Sequence, residues 1–131
     1  MKKKFSKQWN KSKQPRKQRK YRANAPLHIR HKMLSANSSK ELRKKYKKSI
    51  PLKKGDSVKI LRGSFKGKIG KIDFVNLKKL KVKIEGIYRT KKDGTKINIL
   101  VDPSNLQIKE LNLEDKKRIV SLERKNASQK K

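Results

Sequence analysis

The stretch Lys53–Val75, with the sequence KKGDSVKILRGSFKGKIGKIDFV, carries the clearest structural signal in the chain. Val58 and Ile60 alternate with polar residues, which is typical of a strand with one buried face. The segment Gly63–Gly67 predicts a turn, because glycine adopts positive φ at no steric cost. A second apolar segment follows the turn, so the stretch predicts two short strands joined closely in sequence.

The second of these strands changes phase along its length. Ile72 and Phe74 alternate in the opposite phase to Ile69, where the strand begins. A slip of one residue predicts a β-bulge, which we place at Gly70 and Lys71, and a bulge bends its strand.

Three further strands are predicted downstream. Asp93-Gly94 favours a tight hairpin turn, and the segment 102–105 (DPSN) breaks the chain before a last short strand. Five short, bent strands predict a mainly β fold, a small closed barrel of five strands over residues 51–111. The apolar residues of the three strands are Leu80, Val82 and Ile84, then Ile97, Ile99 and Val101, then Leu106 and Ile108.

The net charge of the chain indicates which class of molecule it binds. The 131 residues include 42 Lys and Arg against 10 Asp and Glu, a formal net charge of +32. Nucleic acid is the favoured counter-charge, because Lys and Arg release condensed counterions from phosphates. A membrane surface would require a helix with a broad apolar face or a long apolar segment, and the sequence has neither.

Several classes of site are excluded by composition. The chain has no cysteine, which rules out disulfides and thiolate metal sites. Lys2–Lys4 precede no apolar segment of the secretory kind, so we expect a cytoplasmic protein. The acids are scattered without a paired-carboxylate or Ser/His/Asp arrangement. We therefore expect no enzyme activity, metal, cofactor or small-molecule substrate.

Nearly two thirds of the charge lies in an N-terminal arm, residues 1–50, and the few residues that follow it. From residue 1 to 25 the high charge and low hydrophobicity predict disorder in the free protein and folding on binding. The segment Pro26–Met33 predicts a short helix that begins at its proline. Ser38 or Ser39 is a suitable N-cap for a second short helix.

The C-terminal part, residues 112–131, predicts a helix followed by a basic tail. Asn112 is a suitable N-cap for a helix over residues 113–125, with two acids in its first turn and two cations in its last. The chain is thus predicted to consist of the arm (1–50), the barrel (51–111) and this C-terminal segment (112–131).

The turn around Gly63 resembles a phosphate loop only superficially. A P-loop has four residues between its glycines and Ser or Thr after its Lys, whereas here three residues separate Gly63 from Gly67, and Ile69 follows Lys68. We expect instead a tight turn whose glycines let backbone N–H groups approach phosphate. The cations that flank it are Arg62, Lys66 and Lys68.

Two histidines and two aromatic residues of the arm are further candidates. His28 and His31 are spaced to share a helix face, but without a neighbouring Cys or acid they do not complete a metal shell. Stacking on RNA and simple exposure both remain open for them. Trp9 and Tyr21 lie in basic segments, where they could stack on unpaired bases or pack against the protein.

The stretch Lys53–Val75 resembles a KOW motif through Gly55-Asp56, Lys66-Gly67 and Gly70-Lys71. KOW modules are small SH3-like barrels found in ribosomal proteins and in transcription elongation factors. The resemblance makes four glycines structural, namely Gly55, Gly63, Gly67 and Gly70. Positive φ at Gly67 further predicts that Gly67→Val harms the barrel more than it harms charge recognition.

The flanks are more specific than the motif. The segments 25–28 (APLH), 39–43 (SKELR), 92–94 (KDG) and 102–105 (DPSN) occur in this order around it. The arrangement resembles the universal large-subunit ribosomal protein twenty-four family, in the archaeal and eukaryotic form there numbered twenty-six, over about residues 22–124. Asp102 departs from the pattern, since His is expected before Pro-Ser.

The resemblance implies a structural constituent of the large ribosomal subunit. Such a protein binds the 5′ region of large-subunit rRNA, supports assembly, contacts neighbouring large-subunit proteins and lies near the peptide exit tunnel. The alternatives are a KOW-type transcription elongation factor and an architectural nucleic-acid-binding protein. The candidate rRNA-binding residues are Arg16, Lys17, Arg19, Lys20, Tyr21, Arg22, His28, Arg30, His31, Lys32, Arg43, Lys44, Lys53, Lys54, Arg62, Lys66 and Lys68.

Overall fold

The computed structural model describes residues 5–127, which form a mixed β-sheet with four α-helices and two short 3-10 helices. The strands are β1 (Ser35–Ser38), β2 (Ser49–Pro51), β3 (Ser57–Ile60), β4 (Ile69–Asn76), β5 (Lys81–Thr90), β6 (Lys96–Val101) and β7 (Leu106–Glu110). The α-helices are α1 (Pro15–Asn24), α2 (Leu27–Met33), α3 (Lys40–Lys45) and α4 (Lys116–Ala127), and the 3-10 helices are Lys7–Lys11 and Pro103–Asn105.

The seven strands form one open sheet in the order β2-β1-β7-β3-β4-β5-β6. β1 runs parallel to β7, and the other neighbouring strands are antiparallel. The predicted mainly β fold is confirmed, but the closed five-stranded barrel is not. The edge of β7 that β6 would need for closure is occupied by β1, a strand from the arm that the sequence did not predict.

The hydrophobic core lies on one face of the sheet and is formed by every second side chain of the strands, which are apolar. Val58 and Ile60 of β3 and Leu106 and Ile108 of β7 are at most 2% exposed, as their alternation predicted. The C-terminal half of the arm also belongs to this core, so it is not a separate appendage. Its contributions are Leu34, Ala36 and Ile50, followed by Leu52 just after β2.

The bulge in β4 lies at Asp73. The predicted site, Gly70 and Lys71, is wrong, because β3 and β4 pair there without interruption. Against β5, Asp73 is the extra residue between Ile72 and Phe74. The extra residue turns Phe74 outward, where it is 55% exposed, while Ile72 stays buried.

Gly70 is instead explained by the close approach of β5. A Cβ atom at this position would lie 2.7 Å from Cγ2 of Ile84 and 2.9 Å from the carbonyl oxygen of Glu85. Both distances are shorter than van der Waals contact, so only glycine fits without a shift of the neighbouring strand.

The hairpin between β5 and β6 confirms the predicted Asp93-Gly94 turn. Asp93 Oδ1 accepts hydrogen bonds from the backbone N–H and the hydroxyl of Thr95, at 2.9 and 2.6 Å. The Lys91 N–H donates to the Thr95 carbonyl at 2.9 Å and closes the turn. Leu80, predicted to begin β5, lies in the preceding turn with φ of 55° and is nevertheless buried.

Both predicted helices of the arm are confirmed. Pro26 immediately precedes α2, which ends at Met33 as expected. Ser39 is the N-cap of α3, and its Oγ accepts a hydrogen bond from the Leu42 N–H. Ser38, the alternative cap, is instead a buried residue of β1.

The C-terminal helix begins later than predicted. Asn112 Oδ1 accepts from the Glu114 N–H in a local turn, so it caps no helix. Asp115 Oδ1 accepts from the Lys117 and Arg118 N–H groups, and α4 therefore starts at Lys116. The end of the predicted basic tail, residues 128–131, lies outside the described residues.

Candidate nucleic-acid interface

Helix α1 presents five cations to solvent. Pro15 is its first residue, a position where the missing N–H is harmless, and no residue of the helix is buried. None of the five cations forms an ion pair with an acid of residues 5–127. The charge of α1 is therefore available to a polyanion. These cations, all predicted site residues, are Arg16, Lys17, Arg19, Lys20 and Arg22.

Gln18 holds this helix against the preceding 3-10 helix. Its amide Nε2 donates to the carbonyl oxygens of Trp9, Asn10 and Ser12, at 3.1, 2.9 and 2.8 Å. The sequence predicted no ordered element before Pro26, because apolar periodicity is missing there. A side chain that binds backbone carbonyls leaves no such periodicity.

Arg30 connects the arm to the sheet. Its guanidinium donates to the carbonyls of Ala23 and Ala25 at the end of α1, at 2.6 and 2.8 Å. It also donates to the carbonyls of Leu77 and Lys78, which lie between β4 and β5, at 3.3 and 3.2 Å. The planar guanidinium group of Arg30 has five N–H donors, and these bind four backbone carbonyls. Arg30 positions the arm, which differs from the phosphate contact expected of it.

The remaining candidates on α2 lie close to α1. His28, His31 and Lys32 are all exposed, and His28 and Lys32 line a groove together with Tyr21. Tyr21 stacks on Phe5, with ring centroids 5.3 Å apart and planes at 25°. The structure therefore brings the first 3-10 helix, α1 and α2 together around Tyr21, and His31 is not part of this group.

The loop between β3 and β4 exposes its three predicted cations, but its backbone is occupied. The N–H groups of Lys66, Gly67 and Lys68 donate to carbonyls of the same loop and of β3, at 3.0, 2.8 and 3.2 Å. The expectation that these amides approach phosphate is therefore wrong for these three. Phosphate contact would fall to the side chains, of which Lys68 lies over the Phe65 ring at 5.2 Å. The exposed cations are Arg62, Lys66 and Lys68.

Two further pairs of predicted cations lie elsewhere. Arg43 and Lys44 are exposed in the last turn of α3, next to the helix end that favours positive charge. Lys54 is exposed before β3. Lys53 is also exposed, but its ammonium forms an ion pair with Asp115.

Two of the acids that face lysines have depressed pKa values. The hydrogen bond and the charge of Lys83, 2.6 Å away, lower the pKa of Asp73, and the charge of Lys54 adds a smaller effect. The hydrogen bond from Lys53 lowers the pKa of Asp115. Both carboxylates are thus ionised at neutral pH and neutralise Lys83 of β5 and Lys53 before β3.

A buried ion pair joins the KOW motif to α4. Asp56 and Arg118 have side chains that are 0% and 5% exposed. Two hydrogen bonds link the guanidinium to the two carboxylate oxygens, at 2.6 and 2.7 Å. This bidentate geometry is the strongest that Arg and a carboxylate adopt.

Backbone groups complete the network around this pair. Asp56 also accepts from the N–H groups of Lys53 and Asn112, both at 2.9 Å. Arg118 donates to the carbonyls of Asn112 and Pro51, at 2.8 and 3.1 Å. Arg118 was not predicted as a structural residue, although it precedes the buried Leu122 by four residues and so shares its helix face.

The described part of the chain has neither a metal-binding cluster nor a membrane-spanning helix. Residues 5–127 contain no group of three or more His, Asp or Glu side chains that could hold a metal ion. In the same range, no helix is long and apolar enough to cross a membrane.

Comparison with known proteins identifies the family. A sequence model of the ribosomal proteins numbered L26 in eukaryotes and L24 in archaea matches residues 12–125. The chain belongs to this family. The large ribosomal subunit protein uL24 of Methanoculleus marisnigri (strain ATCC 35101 / DSM 1498 / JR1) is 53% identical over 108 residues, which cover 82% of this chain and 89% of the relative.

Membership in this ribosomal protein family confirms the resemblance drawn from the flanking segments. It also confirms that the chain is a structural ribosomal protein of the cytoplasm and not an enzyme. The matched range includes α1 and most of α4, so the family pattern extends across both the arm and the sheet.

Proposed function

We propose that the chain is a structural constituent of the large ribosomal subunit that binds the 5′ region of large-subunit rRNA and supports subunit assembly. In this proposal it lies near the peptide exit tunnel and touches neighbouring large-subunit proteins, and it has no small-molecule substrate and no membrane insertion. The observation that carries the proposal is helix α1, a ten-residue helix with five exposed cations and no buried residue.

The physical mechanism is neutralisation of phosphates. Each Lys or Arg that contacts a phosphate releases condensed counterions, so many weak contacts add up to a strong, salt-dependent affinity. Folded RNA is recognised mainly through its shape, its phosphates and its 2′-hydroxyl groups. Helix α1 suits this mode because its cations project around the helix and can meet phosphates of more than one strand.

The proposed parts have different tasks. Residues 1–50 supply the RNA-binding arm, residues 51–111 a platform that exposes the Arg62–Lys68 loop, and residues 112–131 close the platform through Arg118. Arg30 and Lys53 act as positioning residues, since their polar groups already bind protein acceptors. The other candidate residues keep the role of direct contacts.

Association with ribosomal subunits tests the proposal. The tagged chain should co-migrate with the large subunit in a sucrose gradient and remain bound through a high-salt wash. Replacing four cations of α1 (Arg16, Lys17, Arg19 and Lys20) with Gln should abolish the salt-resistant fraction. Gln keeps helix propensity close to that of Lys and Arg, so the loss would report charge.

The matched control removes the same charge from the hairpin between β5 and β6. Arg89, Lys91, Lys92 and Lys96 are exposed there and are not candidate contacts. Their replacement with Gln should leave subunit association intact. Equal losses in both variants, or retention of the α1 variant on the subunit, would refute the assignment to α1.

The location on the rRNA is tested by directed cleavage. Because the chain has no cysteine, Ser64→Cys in the exposed Arg62–Lys68 loop gives a single attachment point for an iron chelate. Hydroxyl radicals from the chelate should cleave the 5′ region of large-subunit rRNA. Cleavage confined to other regions would contradict the proposed position while leaving subunit membership intact.

A further inference from the structure

A crevice lies among the N-terminal elements and extends to the segment before β7. Two adjoining cavities, of about 580 and about 320 Å³, share Asn10, Tyr21 and Met33 as walls. The larger cavity lies between the 3-10 helix Lys7–Lys11, α1 and α2, and the smaller one reaches residues 102–104 before β7. We call the two together the arm crevice.

The walls of the arm crevice combine rings, apolar groups and cations. Ile29 and Met33 supply apolar surface in the larger cavity, and Tyr21 and His28 supply planar rings. Its other basic wall residues are Lys7 and Lys32. A space walled by rings, apolar groups and cations suits a nucleotide, because a base stacks on rings while its phosphate pairs with ammonium groups.

Tyr21 is held in place before any ligand arrives. Phe5 stacks on it at 5.3 Å, and Gln18 fixes the surrounding helix through three carbonyls. A ring that is already ordered loses little side-chain entropy when a base stacks on it, which favours binding. This arrangement also explains why a tyrosine is present in a helix whose other side chains are mostly charged.

One acid lies in the wall, and its charge is compensated. Asp102 lines the smaller cavity, where its carboxylate pairs with the Lys81 ammonium at 3.5 Å. Arg22 lines the same cavity, and Lys7 and Lys32 line the larger one. The field across the crevice is therefore positive overall, which is complementary to a phosphate and unfavourable for a basic peptide.

We propose that the arm crevice binds an unpaired nucleotide of RNA, with the base against Tyr21 and His28 and a phosphate beside Lys32. This inference rests on the proposed function, since it assumes that the arm binds RNA. It goes further, because contacts of α1 with helical RNA need only phosphates, whereas the crevice requires a base outside the helical stack.

The test uses the full chain with two RNA probes, a ten-nucleotide oligoadenylate and a sixteen-base-pair RNA duplex. Tyr21→Ala should weaken binding of the single strand about tenfold and leave duplex binding unchanged, because stacking of one base is lost. Tyr21→Phe keeps the ring and should bind like the unmodified chain. Far-UV circular dichroism checks that α1 survives the substitution.

The two histidines of α2 form a second, independent comparison. His28 lines the crevice and His31 does not, yet both are exposed on the same helix, so neither substitution removes a core contact. His28→Ala should weaken single-strand binding about threefold, and His31→Ala should have the same small effect on both probes. Equal behaviour of the two variants would overturn the proposal even if Tyr21→Ala misfolds.

Cross-linking distinguishes the possible occupants. Ultraviolet irradiation of the assembled subunit should join RNA to the peptide that contains Tyr21 or His28. Cross-links of this peptide to another protein, or RNA cross-links only from the Arg62–Lys68 loop, would overturn the inference. Neither result affects co-migration with the large subunit, so the proposed function fails only if that association fails.

Discussion

Helix α1 and the centre of the sheet are ordered by different forces. The sheet buries apolar residues such as Val58, Ile108 and Leu106 almost completely and joins them to a buried ion pair. Helix α1 has no fully buried residue and is held by hydrogen bonds from Gln18 and Arg30 to backbone carbonyls. The sheet is therefore ordered by burial of apolar side chains, and helix α1 is ordered by side-chain hydrogen bonds to the backbone.

This difference matters because it separates stability from recognition. Apolar burial supplies the dominant favourable term in folding, so the sheet can be stable without a partner. The hydrogen bonds of Gln18 and Arg30 each contribute only about 1 kcal/mol to the stability of α1. Helix α1 can therefore adapt its cations to RNA while the sheet keeps its structure, and substitutions should affect these two regions independently.

The largest effect should follow from breaking the buried ion pair. Arg118→Ala leaves the Asp56 carboxylate uncompensated in the interior, which costs about 3–5 kcal/mol of unfolding free energy. Urea unfolding followed by far-UV circular dichroism measures the loss. Trp9, the single tryptophan, lies in the arm and reports on that region separately by fluorescence.

Two control variants accompany this measurement. Lys117→Ala removes an exposed cation from the next position of α4 and should change stability by less than about 0.5 kcal/mol. Lys53→Ala breaks the exposed pair with Asp115, where water screens the attraction, and should therefore cost much less than Arg118→Ala. If Arg118→Ala costs no more than Lys53→Ala, the ion pair does not hold α4 to the sheet.

The second effect concerns two glycines that are needed for different reasons. Gly70→Ala places a methyl group within 3 Å of Ile84 and Glu85 and should cost about 1–3 kcal/mol. Gly67 has φ of 89° and no neighbour within 4 Å, so Gly67→Val should cost about 1–2 kcal/mol through backbone strain alone.

Asparagine separates these two causes. Gly67→Asn should restore most of the stability, because Asn tolerates the left-handed conformation. Gly70→Asn should not, because it retains the atom that clashes. Thermal unfolding compares the four variants, and rescue of both positions by Asn would show that packing against β5 is unimportant.

Much of the sheet could be predicted because its strands follow the rule of alternation. The alternating apolar residues of β3 and β7 are the buried ones, namely Val58, Ile60, Leu106 and Ile108. The Asp93-Gly94 pair likewise predicts the hairpin turn from its own residue types. Ser39 likewise marked the start of α3 through its capping oxygen. These signals are local, since the residues that determine each element lie within it.

The missed features all depend on partners that are distant in sequence. Strand β1 has a short polar sequence, SANS, and is ordered by pairing with β2 and β7. The bulge at Asp73 is set by its register against β5, and Arg118 binds a carboxylate 62 residues away. Within the candidate interface, the exposure of the α1 cations could be foreseen, whereas the diversion of Arg30 to four carbonyls could not.

The third effect should be confined to the arm. Arg30→Lys keeps the charge but loses the planar fork, so the link from α1 to the turn before β5 is broken. Hydrogen exchange of the α1 amides should accelerate about fivefold for each hydrogen bond lost, while β3 and β7 keep their protection. Arg22→Lys, on the exposed surface of α1, is the matched control.

The outcome of this exchange experiment would sharpen the contrast between the regions. Acceleration in both α1 and β3 would mean that helix α1 and the sheet unfold together and are not independent. Acceleration in neither would mean that Gln18 alone holds α1, which Gln18→Ala would then reveal by the same measurement.

The smallest effect concerns acid, which should act on the sheet and leave α1 unaffected. Lys83 lowers the pKa of Asp73, so this carboxylate stabilises the fold above its ordinary pKa. The contribution is lost as pH falls through the depressed pKa, below about pH 4.

Lys83→Met should raise the pKa of Asp73 in an NMR titration, and Lys54→Met should raise it less, because Lys54 acts only through its charge. The arm has no acid before Glu41, and Asp102 in the wall of the arm crevice pairs with Lys81, so Trp9 fluorescence should not change over the same pH range. A pKa of Asp73 that is unchanged in Lys83→Met would show that the charge of the sheet, and not this pair, sets its acidity.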